Sequence, residues 1–272
     1  MNLKAELIYL SNRIFRFLYA SAFTILFFEE DAFASYFFAE GLIPFVSIAA
    51  MRFRNIKALT SLVFLSLLVF LTIPNTNFIA VLIILVLMEG VTGTRYFAVH
   101  RLHNVLADFV HTIVLSALLI LYSIYGVKDL VEFVTFLLFV SWIKLIYFLI
   151  LTRKVEISHG ISTVNSTIYR LSASQIMRIA LVTPASSEWF VVAFRLLNQV
   201  VLYVWSFIKT NHSLELPNII SNNFFEFKWA PIFILSLFLM AFILVQNIML
   251  LFVFYIILLC YFLAREVHLR FT

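Results

Sequence analysis

Four polar side chains stand out in the apolar stretch between residues 162 and 209: Arg170, Arg178, Arg195 and Gln199. At about 100° per residue, Arg170 and Arg178 fall on one face of a helix, and Arg195 and Gln199 on one face of the next. A charge deep in a bilayer costs roughly 3 kcal/mol or more, so such groups normally face a bundle interior or a wet cavity. The guanidinium fork matches phosphate oxygens. The pattern fits a cationic cavity that binds a diphosphate head group.

The same arginines also have a structural interpretation, because a buried cation can simply be paired with a carboxylate on a neighbouring helix. Glu40 lies near the middle of another predicted apolar helix and is the candidate partner of Arg195. As an acid within an apolar span, Glu40 is also a candidate for proton uptake in a coupled transporter. The sequence leaves both roles of Glu40 open, as an ion pair and as a coupling group.

The composition is that of a protein whose main solvent is lipid. Of the 272 residues, 64% are hydrophobic and 12% are charged, and the mean hydropathy is +1.06. A soluble domain averages about 25% charged residues. The net charge of +5 is spread over short connections, which is typical of membrane orientation signals and not of a nucleic-acid-binding surface. The single cysteine, Cys260, excludes an internal disulfide.

Apolar runs of about 20 residues predict an all-α polytopic membrane protein with about ten transmembrane helices. The runs form a first bundle of about six helices over residues 1–156 and an incomplete second bundle of about four over residues 157–272. The last apolar block is too long for one helix and is divided at Gln246–Asn247. The predicted spans are Arg13–Phe28, Ala32–Met51, Ala58–Ile73, Phe78–Thr94, Asn104–Tyr125, Leu130–Leu151, Ser162–Thr183, Trp189–Ile208 and the two halves of Trp229–Ala264.

The cations predict the orientation of these spans, because cytoplasmic loops carry an excess of lysine and arginine. With the N-terminus inside, the outer segments hold only Lys128, together with the acidic turn Glu29–Asp31. Both termini are then expected on the cytoplasmic side. The inner segments hold Lys4, Arg13, Arg16, Arg52, Arg54, Lys57, Arg95, Arg101, Arg153, Lys154, Lys209, Lys228, Arg265 and Arg270.

Two further groups of polar residues fall within the predicted spans. The first group contains histidine, asparagine and aspartate side chains that lie within about 140° of one another on the fifth span. These side chains could form a divalent-metal site or a hydrogen-bonded face of the bundle. We expect the hydrogen-bonded face. Lys144, beside Trp142, is expected to snorkel to the inner interface. The members of the first group are His100, His103, Asn104, Asp108 and His111.

Part of the chain resembles a known family of exporters. The segments Ser174-Gln175-Ile176-Met177-Arg178 and Ala193-Phe194-Arg195-Leu196-Leu197-Asn198 are similar to the start of the second half of bacterial polysaccharide (O-antigen type) flippases, members of the multidrug and oligosaccharidyl-lipid exporter superfamily. The turn from Glu29 to Tyr36 is similar to the matching turn of the first half. The family has about twelve helices in two halves, whereas this chain supplies about ten.

The resemblance implies flippase-like transport of a lipid-linked anionic oligosaccharide across the bacterial inner membrane, with membrane lipids as the surroundings. It implies that Arg170, Arg178, Arg195 and Gln199 contact the substrate. The alternative is a membrane subunit or effector that assembles with itself or with a partner subunit, or forms a pore. We expect no enzyme and no cofactor, because the sequence has no glycine-rich phosphate loop and no Gly-x-Ser-x-Gly motif.

Overall fold

The computed structural model describes residues 3–52, 78–96, 101–126, 129–151, 164–182, 187–210, 230–244 and 247–271. Within these ranges, all the regular secondary structure is α-helical, as the sequence predicts. The nine described helices are α1 (Leu3–Phe27), α2 (Phe33–Arg52), α3 (Phe78–Tyr96), α4 (Arg101–Ile124), α5 (Leu130–Leu151), α6 (Val164–Leu181), α7 (Glu188–Thr210), α8 (Ala230–Leu244) and α9 (Ile248–Phe271).

The chain divides into two compact units, Met1–Gly160 and Ile161–Thr272. In the first unit, α1 packs along α4, α2 packs along α3, and α5 contacts both α3 and α4. In the second unit, α6 packs against α8 and α9, while α9 also contacts α7 and α8. The division into a six-helix and a four-helix bundle between residues 156 and 157 stays a prediction.

Several helices are long and apolar enough to cross a membrane. Among the described residues there are four such segments, Phe33–Ala50, Leu106–Ile124, Leu130–Leu151 and Ile248–Arg265. Two shorter apolar helical segments, Phe78–Gly93 and Ala230–Leu244, accompany them. The third predicted span, Ala58–Ile73, lies outside the described residues. The fold is therefore that of an all-helical membrane-type protein, and the described helices do not by themselves reach a count of about ten spans.

Local capping groups set the ends of these helices. Gly126 follows α4 with a φ of 67°, the left-handed conformation in which glycine ends a helix without a steric penalty. The Asp129 side chain then accepts a hydrogen bond of 3.0 Å from the backbone N–H of Glu132 and begins α5. At the predicted break at Gln246–Asn247, the Asn247 Oδ1 atom accepts a hydrogen bond of 3.3 Å from the backbone N–H of Leu250. The predicted break at Gln246–Asn247 is thus confirmed, and Asn247 caps α9.

The first helix differs from its prediction. The sequence predicts a span from Arg13, whereas α1 already begins at Leu3. The additional residues include Tyr9, which is 7% exposed, and Asn12, which is 2% exposed. Because the polar side chains at this end of α1 are buried against α4, the helix continues through them.

An aromatic cluster packs one end of the first unit. Phe23 lies at its centre, with ring centroids 4.9 Å from Phe27, 4.8 Å from Tyr36 and 5.5 Å from Phe133. Phe23 and Phe133 are each 1% exposed. Aromatic pairs at such distances add about 0.5–1.5 kcal/mol each beyond the burial of their area. This cluster joins the C-terminal part of α1 to the first turns of α2 and α5.

Glycine permits the close approach of α2 and α3. A Cβ atom on Gly90 would collide with the Cβ and Cγ1 atoms of Val46, and one on Gly93 would lie 2.5 Å from Ser47 Oγ. Small residues on one face allow helix backbones to approach closely inside a membrane. The two glycines therefore determine the packing of the α2–α3 pair.

Replacement of Gly90 tests this packing. We expect Gly90→Ala to destabilise the protein by about 1–3 kcal/mol, because the new methyl group forces Val46 and the α2 backbone to move. Denaturant unfolding of the detergent-solubilised protein measures the change. Gly126→Asn is the control, since asparagine tolerates a positive φ and no atom lies within 4 Å of the position. Equal stability of Gly90→Ala and the wild type would contradict the packing.

Candidate functional site

In the second unit, α6 carries the polar face that the sequence predicts. Arg170 is buried, with 8% of its surface exposed, and Arg178 is partly buried two turns later on the same helix. Ser174 lies between them along α6 and is also partly buried. Burial of an arginine among apolar helices requires polar partners nearby. These side chains and their neighbours therefore form the candidate site, which we call the arginine site. It consists of Arg170, Ser174, Arg178, Asn198 and Tyr255.

Helix α7 contributes an aromatic ring and an amide to the arginine site. The guanidinium carbon of Arg178 lies 5.4 Å from the centroid of the Phe194 ring, within the range of a cation–π interaction. Phe194 is fully buried, and its ring centroid is 5.5 Å from that of Tyr255 on α9. Arg178, Phe194 and Tyr255 therefore lie in contact one after another across three helices.

Tyr255 joins this stack to the polar groups. Its hydroxyl donates a hydrogen bond to Asn198 Oδ1 at 3.1 Å. The side chain of Ser174 lies within hydrogen-bonding reach of the same hydroxyl, and the charges of Arg170 and Arg178 act on it. Arg170, Ser174 and Arg178 are thus brought together around a tyrosine. Tyr255 could not be identified from the sequence, because an aromatic residue inside a long apolar run has no distinguishing pattern.

The other two predicted contact residues also lie on α7. Arg195 is buried, with 6% exposure, and Gln199 is partly buried one turn later. Arg195 follows Phe194 directly, so it projects about 100° around the helix from the stacked ring. Arg195 and Gln199 therefore lie on a different side of α7 from the ring that carries Arg178.

The remaining predicted residue, Glu40, belongs to the first unit. It lies on α2 and is partly buried. Both its pairing with Arg195 and its role in proton uptake stay predictions.

The first unit contains a second polar cluster, which sequence analysis did not predict as a whole. Asp108 of α4 accepts from Arg16 Nη2 of α1 at 2.8 Å and lies 3.2 Å from Lys144 Nζ of α5. Lys144 Nζ also lies 3.3 Å from Glu89 Oε2 of α3. Asn12 Nδ2 donates to the other Asp108 oxygen at 3.4 Å. We call these five residues the charge network. The charge network joins helices α1, α3, α4 and α5.

The charge network corrects the interpretation of Lys144. The prediction of a snorkelling lysine is wrong, because the Lys144 side chain is only 8% exposed and contacts two carboxylates. Its partners Asp108 and Glu89 are 9% and 17% exposed. A lysine snorkels when water is its best partner, whereas here two acids on neighbouring helices replace the water. The signal in the sequence was the occurrence of opposite charges in separate apolar runs.

The predicted polar face of the fifth span takes part in the same cluster. The hydroxyl group of Thr112, one turn after Asp108, lies 3.2 Å from Asn12 Oδ1. His111 lies within electrostatic range of Glu89, Asp108 and Lys144. Among the side chains that the structure describes, no group of three or more His, Cys, Asp or Glu residues is placed to hold a metal ion. Asp108 and His111 thus lie in a charged face of the bundle, and the side chains of His100 and His103 lie outside the described residues.

Comparisons with protein-family models, curated proteins and solved structures find no match to this chain. The similarity of the α6 and α7 segments to polysaccharide flippases therefore remains a resemblance carried by those segments.

Removal of Lys144 tests the charge network. Lys144→Met is expected to destabilise the protein by about 3–5 kcal/mol, because it leaves Asp108 and Glu89 as neighbouring buried carboxylates without their shared cation. Adding Glu89→Gln should restore part of the loss, since it removes one of the two negative charges. Denaturant unfolding in detergent, read as a double-mutant cycle, measures the coupling.

The control for this cycle is Glu132→Gln, which removes an exposed carboxylate on the same helix as Lys144 and is expected to change the stability by less than about 0.5 kcal/mol. If Lys144→Met and Glu89→Gln were strictly additive, the two side chains would not form the ion pair described here.

Proposed function

We propose that the protein is a flippase-like transporter that moves a lipid-linked anionic oligosaccharide across the bacterial inner membrane. The observation that carries the proposal is the burial of Arg170 and Arg195, at 8% and 6% exposure, in a helical unit rich in apolar residues. Intramembrane cations are costly and mark ligand or ion pathways by default. The resemblance of α6 and α7 to polysaccharide flippases supports the same function.

Arg170, Arg178, Arg195 and Gln199 are the proposed substrate contacts. A phosphate group presents several acceptor oxygens, and a guanidinium group can donate two parallel hydrogen bonds to them. The contact between Arg178 and Phe194 holds one guanidinium against an apolar ring, where it has fewer competing water molecules. Glu40 is proposed as the coupling or pairing carboxylate.

The proposed architecture has about ten spans. A first bundle of about six helices covers residues 1–156 and an incomplete second bundle of about four covers residues 157–272. Both termini are proposed to lie in the cytoplasm, which places the lysine-rich and arginine-rich connections inside. The turn after Phe27 and the turn after Ile124 then face outward.

Arginine substitutions test the transport proposal. We expect Arg178→Ala and Arg195→Ala to lower the transport of a lipid-linked oligosaccharide by about tenfold or more, because each removes a charge-assisted contact to phosphate. Arg178→Lys should retain part of the activity, since it keeps the charge but loses the fork. Complementation of a polysaccharide-export defect, with membrane insertion quantified in parallel, measures the effect.

Full activity of both alanine variants in that assay would contradict the proposed substrate contacts. A wild-type protein that does not restore export and runs as a higher-order complex in mild detergent would instead support the membrane-subunit alternative.

The orientation can be tested by labelling single cysteines. The chain has one cysteine, so Cys260→Ala provides a cysteine-free background. In this background Tyr125→Cys, in the exposed turn after α4, should react with an impermeant thiol reagent on intact cells. Arg54→Cys should react only after permeabilisation. The opposite pattern would contradict the proposed sidedness.

A further inference from the structure

A cleft lies in the first unit, between the end of α4 and the first turns of α5. Its volume is about 250 Å³, and it is partly open. One wall is a single face of α4, because its four residues follow the i, i+3, i+4, i+7 spacing of a helix. The other wall is an i, i+4 pair on α5. The lining residues are Leu118, Leu121, Tyr122 and Tyr125 on the first wall and Glu132 and Phe136 on the second.

Aromatic rings give this cleft a surface that attracts cations. The ring centroid of Tyr122 lies 6.1 Å from that of Phe136, with an angle of 77° between the rings. It also lies 5.2 Å from the ring centroid of Phe133, at 88°. Such edge-to-face contacts are favourable and orient the Tyr122 ring. Because the face of an aromatic ring attracts an ammonium group within about 6 Å, the cleft suits a ligand with a positively charged nitrogen.

Two oxygen-bearing side chains of the cleft can accept hydrogen bonds from such a ligand. The Tyr122 hydroxyl oxygen is buried, and it makes no hydrogen bond within the part of the chain that the structure describes. Buried polar atoms normally have a partner, either in the protein or outside it. Glu132 is exposed in the first turn of α5 and supplies a carboxylate. The cleft thus combines a negative charge and a neutral acceptor with aromatic rings.

The end of the first unit that holds the cleft is acidic. The ring centroid of Phe27, the last residue of α1, lies 5.4 Å from that of Phe133 on α5, so the turn after α1 belongs to the same end. Lys128 is the one lysine or arginine in the sequence segments 28–33 and 125–133, and it lies outside the described residues. This excess of negative charge favours a cationic group and disfavours an anionic headgroup. The acids of the two segments are Glu29, Glu30, Asp31, Asp129 and Glu132.

The position of the cleft along the helices matches the level of lipid headgroups. Leu118 and Leu121 lie within Leu106–Ile124, a segment long and apolar enough to cross a membrane. Phe136 lies within a second such segment, Leu130–Leu151. The cleft therefore extends from apolar helix surface to the turn between two spans, where the membrane–water interface is expected. Its volume is below the roughly 300–1,000 Å³ of sites for drug-sized ligands, so it has room for a headgroup and not for a whole lipid.

We propose that this cleft binds the headgroup of phosphatidylethanolamine, a phospholipid with a primary ammonium group. The ammonium group lies against the rings of Tyr122 and Phe136. It donates hydrogen bonds to the Glu132 carboxylate and the Tyr122 hydroxyl oxygen, and the acyl chain follows the two leucines of α4. A trimethylammonium group has no N–H to donate, so these acceptors select against phosphatidylcholine. The lipid site lies entirely in the first unit and requires neither the arginine site nor transport.

Lipid titration of the full-length protein in detergent, followed by native mass spectrometry, tests the lipid site. The probes are dioleoyl-phosphatidylethanolamine and dioleoyl-phosphatidylcholine, which differ only in the methylation of the ammonium group. We expect the wild type to bind the ethanolamine lipid about tenfold more tightly, because only its ammonium group can donate to a carboxylate. Glu132→Gln should abolish most of this preference. The variant is expected to fold like the wild type, since Glu132 is exposed.

Glu29→Gln is the matched control. Glu29 is an exposed acid at the same end of the first unit, and it does not line the cleft. Its replacement removes the same charge and should keep the preference within about twofold of the wild type, because exposed charges are screened. Tyr122→Phe retains the ring contacts and removes the hydroxyl group. This variant should lower the preference for the ethanolamine lipid by about threefold, the effect of one neutral hydrogen bond.

Equal affinity of the wild type for the two lipids would overturn the proposal and leave the aromatic side chains as interfacial anchors. An unchanged preference in Glu132→Gln, or an equal loss in Glu29→Gln and Glu132→Gln, would also overturn it. If Glu132→Gln does not fold, Tyr122→Phe decides, and an unchanged preference in that variant has the same meaning. Displacement of the lipid by an equal concentration of free ethanolamine would show a site for a soluble amine and overturn the assignment to a lipid.

Discussion

The cost of placing charge among lipid-buried helices is the constraint on which the rest of this structure depends. Lysine, arginine, aspartate and glutamate side chains lie on helices whose other faces carry exposed leucine, isoleucine and phenylalanine. Each such charge must be compensated within the protein, since lipid supplies no hydrogen bonds. The first unit achieves this with opposite charges, and in the second unit Arg178 lies against the ring of Phe194.

This difference separates the roles of the two units. In the charge network, Lys144 contacts two carboxylates and Asp108 contacts two cations. Pairing of these opposite charges fixes the positions of the helices relative to one another. Removal of one partner destabilises the protein, because it leaves a buried charge without compensation. In the arginine site, Arg178 lies against the ring of Phe194, and the Tyr255 hydroxyl donates to Asn198.

Much of the helical layout could be predicted from the sequence, because apolar run length and capping residues are local properties. Leu130–Leu151 coincides with α5, and the polar pair Gln246–Asn247 correctly marks the break before α9. The side-chain partners could not be predicted, because they depend on which helices are neighbours. Lys144 looks like an interfacial lysine until α3 and α4 are known to supply Glu89 and Asp108, and Tyr255 is indistinguishable from the other aromatic residues of its run.

Protection of the arginine site by a ligand is the most direct test of the account. In a Cys260→Ala background, Ser174→Cys places a thiol between Arg170 and Arg178. The account predicts that a hydrophilic thiol reagent reaches this cysteine in native membranes, and that farnesyl diphosphate slows the reaction whereas farnesol does not. A cysteine that reacts only with a lipid-soluble reagent, or one that both prenyl compounds protect equally, would contradict a phosphate site at this position.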